Sequence, residues 1–119
     1  YALLTDIITK GWSGLTVKMY KNLKKLKKEN LRDNMTNLEL VLNMLAEATT
    51  TEISKEKNPK NFTESKIIAA EGGRIAGNTR KEIEAKTGKK IVSSLNAKTS
   101  LKTQIASQKT KKNKSNRNL

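Results

Sequence analysis

The sequence contains neither cysteine nor histidine, and it has one proline and four aromatic residues. The lack of cysteine excludes a disulfide framework and a thiolate metal site. The lack of histidine removes the commonest general base and the commonest metal ligand. No apolar run approaches the roughly 18 residues that a membrane span needs, and no signal peptide is visible. We therefore expect a cytoplasmic protein with no membrane association, no metal and no cofactor.

Acidic residues are also scarce, since 25 lysines and arginines face 11 aspartates and glutamates. The net charge of +14 favours a polyanion as partner, meaning nucleic acid or an acidic membrane surface. The 119 residues suffice for at most one domain with tails. Because only 34% of the residues are apolar, the core must be small and built from a few helices. The first residue is Tyr1 and not methionine, which favours a piece of a longer protein.

The clearest helix signals lie between Thr36 and Lys57. Thr36 and Glu39 have the spacing of a capping box, in which each side chain accepts the other residue's backbone N–H. The apolar residues that follow are spread more widely than a narrow seam, which predicts a helix covered on more than one side. Pro59 argues against continuation of the helix.

Two shorter helices are predicted before it. Apolar spacing in residues 1–10 indicates an amphipathic helix, which Gly11 is expected to end. Thr16 is a candidate N-cap for a helix from about 17 to 27. From Lys10 to Arg32 there are eight basic residues and one acidic residue. From Asp33 to Glu56 there are five acidic residues and one lysine. This difference in sign suggests that the basic segment folds back on the acidic helix after Thr36.

A further helix is predicted from Glu64 to about Lys86, with Thr63 as N-cap and Gly88 as the stop. Its interior contains Gly72 and Gly73, and each costs up to about 1 kcal/mol relative to alanine.

Two interpretations of these glycines are open. Ala69, Gly73 and Gly77 form a small-residue stripe that would allow a continuous helix to approach the Thr36 helix closely, at residues 46–49. Alternatively, Gly72-Gly73 separates two shorter helices.

A helix-turn-helix over residues 65–84 is a weak match, because Arg74 and Thr79 would occupy positions that need buried apolar residues.

These patterns predict an all-α fold, a small bundle of three to four helices over residues 1–97. Ile91-Val92 is expected to be an extended segment lying on the helices. Residues 89–119 contain nine basic residues and no acid. We therefore predict a disordered basic tail over residues 98–119.

Nothing in the sequence indicates catalysis. Without histidine or cysteine, paired carboxylates are the main remaining option, but Glu47 and Glu52 are not one turn apart, and Glu82 and Glu84 point to different faces. The run around Gly72 matches neither a phosphate loop nor a dinucleotide fingerprint. We expect a protein that is not an enzyme.

The basic stretch from Lys18 to Arg32 is the strongest candidate surface, because phosphate binding needs only positive groups along a helix or groove. A solvated lysine-rich face explains the same pattern equally well. Trp12 and Tyr20 could stack on exposed bases, although both also have core explanations. The predicted nucleic-acid contacts are first Lys24, Lys25, Lys27, Lys28 and Arg32, and second Arg74, Arg80 and Lys81.

Several blocks resemble the C-terminal half of the family of DNA-damage-inducible protein D. The longest is NLRDNMTNLELVLNMLAEATTTEISK at residues 30–55. The others are GWSGLT (11–16), Tyr20-Lys21, LKKEN (26–30), GGRIAGNTRKEIEAKTGKK (72–90) and SLNAK (94–98). Their order and spacing match over roughly residues 4–98. Lys24-Lys25-Leu26 replaces a family-like Lys-Gly-Leu, which we expect to stiffen the basic helix.

The resemblance implies a bacterial protein in which a Bro-type domain, similar to that of prophage antirepressors, precedes this region. It implies a nucleoid-associated role in the response to DNA damage, in which the chain acts on the recombinase filament on single-stranded DNA and catalyses no reaction. We therefore expect a non-catalytic accessory protein that binds DNA, single- or double-stranded, or a recombinase filament, or both. The alternative is a protein-interaction or dimerisation domain without nucleic-acid contact, formed by the Thr36 helix and the glycine-bearing helix.

Overall fold

The computed structural model describes residues 2–98, which form four α-helices and one turn of 3₁₀ helix. The elements are α1 (Ala2–Ser13), α2 (Val17–Leu23), the 3₁₀ turn (Arg32–Asn34), α3 (Asn37–Lys57) and α4 (Phe62–Thr87). No β-strand occurs within residues 2–98. The predicted all-α bundle is confirmed. The predicted tail lies, apart from its first residue, outside the described residues.

Local capping signals placed most helix ends correctly. The Thr36 side chain accepts the N–H of Glu39, and the Glu39 carboxylate accepts the N–H of Thr36 at 2.9 Å, so the capping box before α3 is confirmed. Thr16 caps α2, and Gly88 ends α4 in the left-handed conformation. The N-cap of α4 is Asn61 and not Thr63, because the Asn61 side chain accepts the N–H of Glu64.

The expectation that Gly11 ends the first helix is wrong, since α1 continues to Ser13. Gly11 lies against α4, where a methyl group in its place would come within 2.9 Å of the Gly73 Cα. This glycine therefore serves helix packing. The chain turns at Gly14, which has a φ of 84° that suits glycine.

Helix α4 runs through Gly72-Gly73 without a break, so the continuous interpretation is confirmed and no turn is present for a helix-turn-helix. The predicted partner of the small-residue stripe is wrong. A methyl group at Gly73 would come within 2.8 Å of the Ile8 carbonyl oxygen, which places the stripe against α1. Of the three glycines in α4, Gly72 faces α3, where a side chain would overlap Thr50, whereas Gly73 and Gly77 face α1.

Helix α2 is shorter than predicted. Lys25 adopts the left-handed conformation, with a φ of 59°. The Leu26 N–H donates to the Lys21 carbonyl at 2.9 Å, and the Lys25 N–H donates to the Asn22 carbonyl at 3.1 Å. This pair of hydrogen bonds is the Schellman ending of a helix. The expected stiffening by Lys25 is wrong, because Lys25 lies at the helix end.

The core gathers residues from every helix and from the segment after α4. Its largest members are Trp12, Tyr20 and Leu42, and Ile91 is buried beside them. Ile91 therefore lies on the helices, as predicted, and positions the chain that follows it.

The outer face of α3 is open, contrary to the prediction that this helix is covered on more than one side. Its buried residues include Leu42 and Ala46. Leu38, Val41, Met44 and Leu45 are exposed.

Candidate nucleic-acid interface

Lys24 is completely buried, with 0% of its surface exposed. Its Nζ donates to Glu39 Oε1 at 2.8 Å and to the backbone carbonyl of Leu95. The hydroxyl of Tyr20 donates to the other oxygen of Glu39. The prediction that Lys24 contacts DNA is therefore wrong, because a buried carboxylate needs a cationic partner and Lys24 supplies it. The expected folding of the basic segment onto the acidic helix is realised in this pair.

The two candidate stacking aromatics are also interior. Trp12 and Tyr20 are both 0% exposed, and their ring centroids lie 6.0 Å apart. Burial raises the pKa of Tyr20, and the hydrogen bond and charge of Glu39 raise it further. The Tyr20 hydroxyl therefore remains a proton donor, and neither ring can stack on a base from outside.

Hydrogen bonds hold residues 91–97 against the end of α2 and against the 3₁₀ turn. The Asn96 side chain donates to the Lys24 carbonyl at 2.9 Å, and the Ala97 N–H donates to Asn34 Oδ1 at 3.0 Å. At the other end, the Ile91 N–H donates to Glu84 Oε2 at 3.0 Å. Lys24 thus joins α2, α3 and this segment in one buried cluster.

The second group of predicted contacts lies on α4, and its members differ in whether they are bound within the fold or exposed. Arg80 is engaged, since its Nε donates to the Trp12 carbonyl at 2.6 Å and its Nη1 lies 2.7 Å from Glu84. Arg80 thereby holds α1 to α4, and its side chain is only 17% exposed. Arg74 and Lys81 are exposed. Neither residue lines either of the two cavities that lie between α1 and α2.

A groove separates α1 from α2 and the loop that follows it. It contains an inner cavity of about 280 Å³ and an open outer cavity of about 680 Å³. Thr5, Val17 and Lys21 line both cavities. The remaining inner lining is Ile8, Thr9, Asn30, Leu31, Arg32, Met35, Asn43 and Glu47, and the remaining outer lining is Ala2, Asp6, Lys18, Asn22, Leu26 and Lys27. We call this region the α1–α2 groove.

Four cations line the groove: Lys18, Lys21, Lys27 and Arg32. The three lysines make no ion pair within 4.0 Å in the part of the chain that the structure describes. Arg32 is paired with Glu47 at 2.7 Å and is about half exposed. Lys18 and Lys21 were not among the predicted contacts. Their i, i+3 spacing, which places both on one side of a helix, was the signal that could have found them.

The acids of this region accept hydrogen bonds from backbone or side-chain donors. Asp6 accepts the Val17 N–H at 2.8 Å. Glu29, in the loop after α2, accepts the Lys27 backbone N–H at 2.7 Å, and this hydrogen bond lowers the pKa of Glu29. The charges of Lys27 and Lys21 also lower the pKa of Glu29. Neither lysine forms an ion pair within 4.0 Å among the described residues, so an anion that binds them displaces no direct partner.

The structure thus brings two of the predicted contacts, Lys27 and Arg32, to the groove. Lys25 and Lys28 are exposed in the loop after α2.

Within residues 2–98, no group of three or more acidic side chains is placed to hold a metal ion. No helix in that range is long and apolar enough to cross a bilayer. No family model, curated protein or solved structure matches the chain.

Proposed function

We propose that this chain is a non-catalytic accessory protein of the DNA-damage response that binds nucleic acid through the α1–α2 groove. The observation that supports this most directly is the row of unpaired amino groups of Lys18, Lys21 and Lys27 along one depression. A polyanion that neutralises such a row releases condensed counterions, and this release drives association. Lys25 and Lys28 extend the positive surface beyond the groove.

The biological setting of the proposal rests on the resemblance of residues 4–98 to the DNA-damage-inducible protein D family. On that basis the ligand is DNA, or the recombinase filament on single-stranded DNA, or both, in a bacterial nucleoid. Negative charge is shared by DNA and by a filament that contains it, so the groove suits either.

The test compares the salt dependence of DNA binding between two charge variants of the 119-residue chain. The first replaces Lys18, Lys21 and Lys27 with glutamine. The control replaces with glutamine three exposed lysines that make no ion pair among the described residues: Lys57 and Lys60 near the junction of α3 and α4, and Lys86 near the end of α4. Both variants carry the same net charge and the same C-terminal residues, so only the position of the lost charge differs. Lys24 is left intact because it belongs to the core.

Binding to labelled DNA is measured across a salt series. We expect the slope of log K against log salt to shrink by about 2 to 3 in the groove variant, since each lost phosphate contact contributes roughly 0.7 to 0.9. The control should keep nearly the wild-type slope. Equal slopes in the two variants would show that the groove is not the binding surface.

A second candidate function is protein interaction or dimerisation, and the exposed apolar face of α3 favours it. Leu38, Val41, Met44 and Leu45 expose between 36% and 52% of their surface, and contiguous apolar patches mark interaction sites. The glycine-bearing helix cannot contribute through Gly73, which is buried against α1.

Sedimentation over a range of concentrations tests this candidate. Val41→Glu should abolish self-association, and the exposed position Thr51→Glu, on the same helix, serves as control. A chain that sediments as a monomer at every concentration would exclude dimerisation through this face.

A further inference from the structure

We infer that the inner cavity of the α1–α2 groove binds one unpaired nucleobase, so that the ligand of the groove is single-stranded nucleic acid. This inference rests on the proposed function and specifies the substrate class of the same site. Four observations support it: the size of the cavity, its lining, the position of Arg32 and the position of the lysines.

The inner cavity has the volume and the apolar lining of a site for a small molecule. Its volume of about 280 Å³ lies near the lower end of ligand pockets, roughly 300 Å³. Ile8, Val17, Leu31 and Met35 supply apolar surface. A single heterocyclic ring fits such a space, whereas a base pair with its stacked neighbours does not.

Arg32 provides a planar surface at this cavity. Its guanidinium is held by Glu47 at 2.7 Å, and Glu47 also accepts a hydrogen bond from Asn43 at 2.9 Å. Asn43 is fixed in turn by the indole N–H of the buried Trp12 at 3.1 Å. Guanidinium planes stack on unpaired bases. This one is oriented before any ligand arrives, which lowers the entropy cost of binding.

The lysines lie where the phosphates of such a strand would pass. Lys21 lines both cavities, and Lys18 and Lys27 line the outer one. A base in the inner cavity would leave its flanking phosphates in the outer cavity, beside these amino groups. A duplex keeps its bases stacked and paired, and extruding one costs a few kcal/mol. The groove therefore favours a strand whose bases are already unpaired.

The test separates the base from the phosphates by comparing two labelled probes of equal length. One is an oligothymidine strand, and the other has the same sugar-phosphate backbone without bases. Both present identical charge to the groove. The wild-type chain of 119 residues should bind the strand with bases about fivefold or more tightly, which is the smallest effect expected from one stacked base.

Two variants should bring this ratio close to one. Arg32→Lys keeps the charge and removes the stacking plane. Thr5→Phe places a bulky ring at the boundary between the two cavities. Leu3→Phe, at an exposed position of the same helix that lines neither cavity, is the matched control and should preserve the wild-type ratio.

The outcomes distinguish this inference from the proposed function. Equal binding of both probes by the wild type, with strong salt dependence, would overturn the base site and leave phosphate binding intact. A wild-type preference that survives both Arg32→Lys and Thr5→Phe would also overturn it. Failure to bind either probe while labelled duplex DNA is still bound would overturn the base site alone. Failure to bind duplex DNA as well would overturn both proposals.

Discussion

At the scale of single residues, Lys24 is buried in an ion pair with Glu39, whereas its neighbours Lys25, Lys27 and Lys28 are exposed. Replacing one partner of a buried ion pair leaves the other charge uncompensated and costs about 3–5 kcal/mol. We predict this loss of unfolding free energy for Lys24→Met, measured by urea denaturation. Lys28→Met, at an exposed lysine of the loop after α2, should change the stability little. Similar effects of the two substitutions would contradict the buried pair.

Lys25 holds a backbone conformation that favours glycine. A non-glycine residue in the left-handed region costs roughly 1 kcal/mol or more. Lys25→Gly should therefore raise the unfolding free energy by about 1 kcal/mol, although it removes a charge and a side chain. Lys28→Gly, which lacks the positive φ, should be neutral or destabilising. Thermal unfolding of both variants checks the difference in sign.

Glu84 makes stability depend on pH. Burial raises the pKa of Glu84, but the hydrogen bond from the Ile91 N–H and the charge of Arg80 outweigh it, so the pKa lies below its ordinary value of 4.5. A depressed pKa stabilises the fold above pH 4.5 and loses that contribution as the pH falls through the folded-state pKa. Wild type should therefore lose more stability than Glu84→Gln when the pH is lowered from neutrality to below 4.5. Parallel pH profiles from urea titrations would contradict this.

At the scale of elements, the contact between α1 and α4 depends on glycines. Alanine normally stabilises a helix interior by up to about 1 kcal/mol relative to glycine. At Gly73 a methyl group would meet the Ile8 carbonyl oxygen and the Gly11 Cα. We predict that Gly73→Ala destabilises by about 1–3 kcal/mol through overpacking. Asn78→Ala, at an exposed position of α4, should not, and thermal melts of the two variants test the contrast.

Signals confined to a few neighbouring residues were sufficient to predict that the four helices exist, but not where each of them begins and ends. The capping box at Thr36 and the stop at Gly88 act through local hydrogen bonds, and both were predicted correctly. Gly11 was misread because a glycine that ends a helix and one that admits a neighbouring helix look alike in sequence. Only the position of α4 distinguishes them.

The candidate site was predictable as a stretch but not residue by residue. The basic segment from Lys18 to Arg32 does line a groove. Lys24 and Lys25 are adjacent lysines, and their residue type does not show which of them is buried. The fold places the Glu39 carboxylate beside Lys24 and leaves Lys25 exposed. Likewise, Arg80 and Lys81 differ because Arg80 alone faces the end of α1.

At the scale of the whole molecule, the C-terminal limit of the folded part can be tested by truncation. Ile91 is buried and Leu95 accepts a hydrogen bond from Lys24. Ending the chain after Lys90 should therefore lower the unfolding free energy by at least about 2 kcal/mol, the usual cost of removing a buried isoleucine.

Ending the chain after Lys98 keeps these contacts and should leave the stability close to that of the full chain. The domain boundary near residue 97 is a prediction that this pair of truncations checks. Equal stability after both cuts would mean that residues 91–97 contribute nothing to the fold.

The glycine contact between α1 and α4 also determines which parts of the molecule can move. Gly11 and Gly73 bring backbone against backbone, so no side chain there can change rotamer to absorb a displacement. The two helices consequently form a rigid frame, and α1 is a fixed wall of the groove. Helix α2 is also held, by the buried pair of Lys24 and Glu39. Under the proposed function, any widening of the groove is therefore expected in the exposed loop between α2 and the 3₁₀ turn.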